Sequence, residues 1–148
     1  MELTPRVIRL AAALLVVAAT TSCSSGTTQE IDMNAAEAEA LVTDQVRSLT
    51  DVLALPEPVD NPAIERQACL DNAGRETGDV IVTTRRRFAV TDPELLTRAK
   101  TWFEEESYAM TERGRTEVIG DRDGLRVSVE VTGDRTTLSA VTECVGAA

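Results

Sequence analysis

The chain has 148 residues, a net charge of −10 and only four aromatic residues beside 43% hydrophobic ones, enough for one domain with a modest core. Surplus acid argues against nucleic acid and anionic lipid surfaces as partners. The absence of histidine removes serine–histidine and cysteine–histidine catalysis and the commonest neutral metal ligand.

Residues 1–22 read as an export signal. Arg6 and Arg9 precede an apolar run, Leu10 to Ala19, half the length of about 20 residues that a membrane-spanning helix needs. The run ends in Ala19-Thr20-Thr21-Ser22-Cys23, followed by Ser, Thr and Gly. This pattern resembles the bacterial lipobox, with Thr20 where leucine is commonest. The resemblance implies cleavage before Cys23 and a diacylglycerol on its thiol; a plain secretion signal or a buried helix is the alternative. Two acyl chains would anchor stably where one would not. Cysteine parity agrees. With Cys23 acylated, Cys69 and Cys144 are left to pair as a disulfide in an oxidising compartment. Removing the leader, with Arg6, Arg9 and Glu2, makes the remaining chain one unit more negative. Residues 23–33 then form the lipidated cysteine and a flexible tether, with a reach of roughly 15–20 Å.

Residues 34–148 read as one domain. Asn34 and Glu37 form a capping-box pattern. Val42, Val46, Leu49 and Leu53 follow at helical spacing, and Pro56 stops the helix after Leu55. Pro56 to Pro62, PEPVDNP, is a rigid loop, and Ala63 to Gly78 has no clear period. Asp79 to Val90 is rich in β-branched residues and predicts a strand. Thr91 or Asp92 would cap a second helix with Pro93 in its first turn. Leu95, Ala99, Trp102 and Phe103 form its apolar face, with Trp102 a core anchor. From Tyr108 the period changes to two, through Thr116 and Val118. Asp121 to Gly124 predicts a turn, Leu125 to Val131 a half-buried strand, and Gly133-Asp134 a tight hairpin. A last strand runs through Leu138, Ala140, Thr142 and Cys144. The expected fold is α+β: a two-layer sandwich with order α-β-α-β-β-β, two helices on one face of an antiparallel sheet of about four strands.

The C-terminal third, TWFEEESY, DRDGLRVSVEV and LSAVTECV, resembles small actinobacterial lipoproteins of the mycobacterial LppA type. It carries a helix tryptophan, an Asp-Gly hairpin and a late Cys-Val, with Ser107 as the small residue closing the helix. The arginine-rich composition, with Lys100 the single lysine, points to a GC-rich genome of the same kind. The resemblance implies an envelope lipoprotein with no assigned chemistry.

No motif for a cofactor or metal emerges. Two cysteines are too few for zinc. Gly120 to Gly124, GDRDG, lacks the oxygen ligands of a calcium loop and suits a hairpin. Glu104, Glu105 and Glu106 point around a helix end and suit a solvated surface; a hydrolase using carboxylates alone is the weakest class. The unusual polar feature is Arg85-Arg86-Arg87 within a strand, where one should face opposite to the others. These arginines would guard a sheet edge and balance acidic neighbours, or form a patch for an acidic envelope protein or anionic cell-wall polymer. The expected function is a non-enzymatic binding module, held by Cys23 to the outer face of the cell membrane. The alternative is a small-ligand or lipid carrier with an apolar pocket.

Overall fold

The computed structural model describes residues 33–148; the expected export signal, Cys23 and the expected tether as far as residue 32 lie outside them. The architecture is α+β, with two helices and an antiparallel sheet. The sheet has seven strands in place of about four, and the element order becomes α-β-β-α-β-β-β-β-β.

Helix α1 spans Ala35–Val52. Its capping box closes as expected: Glu37 N donates to Asn34 Oδ1, and Asn34 N donates to Glu37 Oε2, both at 3.0 Å. Strand β1 (Ala63–Leu70) arises from the segment without a period. It pairs with β2 (Glu76–Phe88), which starts earlier and stops sooner than the β-branched run predicts. Helix α2 spans Glu94–Glu105. Pro93 sits at its N-cap and no side chain caps it there, but Asp92 Oδ1 accepts from Glu94 N at 2.9 Å. The segment after Tyr108 folds back on itself as β3 (Ala109–Arg113) and β4 (Glu117–Arg122), where sequence periodicity predicts one strand. Strands β5 (Leu125–Thr132) and β6 (Arg135–Thr142) complete the meander, and β7 (Val145–Gly146) returns to β2. Asp123 and Gly124 join β4 to β5 with φ of +48° and +73°, the left-handed pair that suits a two-residue hairpin.

The sheet order is β1-β2-β6-β5-β4-β3. Cross-strand register sets Val82 and Phe88 of β2 on one face with Leu138 and Ala140 of β6, Val127 and Val129 of β5, and Val118 of β4. That face meets Val42, Val46 and Leu49 of α1 and Leu95, Ala99, Trp102 and Phe103 of α2 in one buried cluster. Trp102, Phe103 and Tyr108 pack with ring centroids 5.3–5.5 Å apart, offset or tilted as aromatic quadrupoles prefer. Gly120 lets α2 come close. A Cβ there would stand 2.5 Å from Phe103 Cδ1.

Cys69 and Cys144 are joined by a disulfide closing 75 residues of separation. It fastens the edge strand β1 to the segment between β6 and β7. There the ladder is irregular, and Val82 N donates to the Thr142 hydroxyl at 3.0 Å in place of a carbonyl. No helix of the described residues is long and apolar enough to cross a membrane.

Candidate functional site

Strand alternation separates the three arginines. Arg85 and Arg87 leave β2 on the face away from the helices, and Arg86 turns toward them beside Thr84 and Phe88. β2 lies between β1 and β6, so the arginines do not guard a sheet edge; the edges are β1 and β3.

Pairing with acidic neighbours fails as an account too. Among the described residues, eight other arginines and Lys100 each have a carboxylate oxygen within 4.0 Å. Arg85, Arg86 and Arg87 have none among those residues, where the only other such cation is Arg115, in the β3–β4 turn. The backbone around the triplet is nevertheless fixed. Val59 N donates to Arg87 O at 2.8 Å, and Arg87 N donates to Asp60 Oδ1 at 3.0 Å. The proline loop is thereby stitched along β2 beyond the end of β1.

The helix-free face is polar and finely paired. One register row crosses the sheet as Thr111, Ile119, Ser128, Ser139, Arg85 and Ala63. The Ser128 and Ser139 hydroxyls meet at 2.7 Å. Arg87 heads the next row, beside Thr137 and then Glu130. A shallow depression beside the arginines is shared by Asp60, Asn61 and Glu65. The exposed guanidinia therefore stand on a rigid central strand in a mixed-charge surround, with hydroxyls along the rows. Such a face offers planar bidentate donors to carboxylate or phosphate.

At the β4–β5 hairpin, Asp121, Asp123 and Glu143 surround a wide surface cleft of about 370 Å³. Asp121 is engaged by Arg126 at 2.8 Å. Among the described residues, no group of three or more His, Cys, Asp or Glu side chains can hold a metal ion. Glu104, Glu105 and Glu106 are exposed at the end of α2. Glu106 pairs with Arg122, whose guanidinium lies 4.3 Å from the centre of the Tyr108 ring.

Reading the residues in order misses the surroundings of Arg86. Thr84, Arg86 and Phe88 of β2 meet Val46 of α1, Ile64 of β1 and the proline loop around a small groove. The alternation of β2 signals which way Arg86 points. Its neighbours come from segments that only the topology joins.

Fold and site together define a two-layer α+β domain with an arginine-bearing sheet face that neither described helix covers. Comparison with known protein families, curated proteins and solved structures gives no match.

Proposed function

We propose that this chain is an extracytoplasmic lipoprotein, anchored through Cys23 to the outer face of the cell membrane. Its domain works as a non-enzymatic binding module for an anionic envelope partner, an acidic protein or a charged wall polymer. The observation that carries this reading is the state of Arg85 and Arg87. In a chain of net charge −10, two exposed guanidinia on a rigid strand have no carboxylate within 4.0 Å among the described residues. The lipobox resemblance supports the anchor, and the likeness to actinobacterial lipoproteins supports the compartment. The space between helices and sheet is packed with Leu49, Phe88, Phe103 and Leu138, each fully buried, which weighs against a carrier with a large internal cavity.

Crosslinking in intact cells tests the module. A folded Arg85→Glu/Arg87→Glu variant should lose its crosslinked partner. Wild-type capture should fall with added salt, as the screening length shrinks from about 10 Å at 0.1 M to about 3 Å at 1 M. Capture that is insensitive to both changes rejects the arginine face. Metabolic labelling with a clickable fatty acid tests the anchor separately: label should appear on the wild type and vanish in Cys23→Ala.

A further inference from the structure

Arg86 enters a groove of about 200 Å³ between α1, the proline loop and β1. Its floor is Val46 and Phe88, 4% and 1% exposed, and Ile64, Pro58 and Pro62 stand around it. Two hydroxyls at the groove are already engaged: Thr50 Oγ1 donates to Val46 O at 2.7 Å, and Thr84 Oγ1 to Ala63 O at 3.2 Å. Arg47, the other cation there, is held by Asp44 at 2.9 Å. Arg86 is half-buried, and among the described residues its Nη1 reaches only the backbone carbonyl of Asp60, at 3.4 Å. Among the described residues no acidic side chain lines the groove, although acid dominates the chain.

A guanidinium carries five donors in a planar fork. Half-buried among apolar side chains and with one long bond to a carbonyl, it has most of that capacity unspent. A carboxylate is the group that fills such a fork with two parallel charge-assisted bonds. The floor and walls supply apolar surface next to it, so the complementary molecule has an anionic head and an apolar body. The volume is below the roughly 300–1,000 Å³ of pockets for drug-sized ligands, which restricts the body to a short chain. We propose that the groove binds a small amphipathic carboxylate, its head on Arg86 and its chain against Val46, Ile64 and Phe88. The site lies on the other side of β2 from Arg85 and Arg87, and it stands whether or not that face has a partner.

The test uses the whole chain, isotope-labelled and purified in detergent, with hexanoate and its neutral analogue hexanol as probes. Hexanoate should shift the amide signals of Val46, Ile64, Thr84 and Phe88 saturably. Hexanol should bind the same place about tenfold more weakly, for want of a charge-assisted pair. Arg86→Gln should bring hexanoate down to the hexanol level while leaving hexanol unchanged. Arg115→Gln, in the β3–β4 turn, should alter neither by more than about twofold. Micelle uptake differs between the two probes, so it is measured for each in protein-free micelles and binding is compared at equal free probe concentration. Equal binding of hexanoate and hexanol by the wild type, or shifts located elsewhere, overturns the proposal. The wild-type comparison alone decides it if Arg86→Gln does not fold.

Discussion

Gly120 is the position where one added carbon should be felt most. An alanine Cβ there would stand 2.5 Å and 2.7 Å from Phe103 Cδ1 and Cε1, and 3.0 Å from Tyr108 Cβ. Non-bonded carbons rest about 3.5–4.0 Å apart, so the ring must retreat by about 1 Å. Phe103 has nowhere to go: it is fully buried, with Trp102 and Tyr108 each 5.3 Å away between ring centres. Overpacking of a close-packed core costs about 1–3 kcal/mol. Alanine recovers about 0.5–1 kcal/mol of that over glycine within a strand, because it has less backbone freedom to lose. Gly120→Ala should therefore destabilise the domain by about 1–2 kcal/mol. Urea unfolding followed by the fluorescence of Trp102, the single tryptophan, is the assay. With a slope of about 2 kcal/mol/M, the midpoint should fall by about 0.5–1 M and the slope should hold. Shortening the ring in Gly120→Ala/Phe103→Leu should cost less than the two single changes summed, because the clash is shared. A Gly120→Ala midpoint at or above the wild type would refute the close approach of α2 to β4.

The disulfide predicts a larger effect: closing 75 residues restricts the unfolded chain by about 4 kcal/mol in the chain-entropy model, so Cys69→Ala/Cys144→Ala should lose a comparable amount in the same urea assay. Asn34→Ala, which opens the capping box of α1, should cost about 1 kcal/mol, read as a lower urea midpoint. Tyr108 is the only tyrosine, and burial pushes its phenol above the ordinary value, with Arg122 opposing. Ultraviolet titration should place its ionisation above that of free tyrosine; the raised value means that its contribution to stability is complete below the unfolded pKa and is lost as pH rises through the folded one. Asp71, held below the usual carboxylate range by bonds from Arg75 and from the Ala73 backbone, should show by NMR a pKa that rises toward normal in Arg75→Gln.

Residues with a buried face were legible in the sequence. The period of Val42, Val46, Leu49 and Leu53 announced α1, and the alternation from Leu125 announced β5, because each must hide one side. Strand β1 and the division of β3 from β4 carry no such signal, for the converse reason. Every residue of β3 is exposed, and so is all of β1 except Cys69, so neither edge carries a hydrophobic period. Without β1 in view, the sequence leaves Arg85, Arg86 and Arg87 open to edge protection, acidic pairing or a partner patch; with β1 paired to β2, the edge duty falls away. The alternation of Arg85, Arg86 and Arg87 across β2 was readable from strand geometry alone. The groove at Arg86 was not, since Val46, Ile64 and Phe88 come together only through pairing and packing.

The two ends of the described chain meet. Gly146 N donates to Met33 O at 3.1 Å, and Asn34 forms a parallel bridge with Gly146. Two residues back, Cys144 is covalently fixed to Cys69 on the edge strand. Tension arriving along the chain ahead of Met33 therefore meets β7 before it can unwind α1. From β7 it passes to β2 through the pairs at Asp79 and Val80, and through the disulfide to β1. The load is spread over two strands and a covalent bond at one corner. Arg85, Arg86 and Arg87 stand farther along β2, past the pairs at Asp79 and Val80 where the load enters.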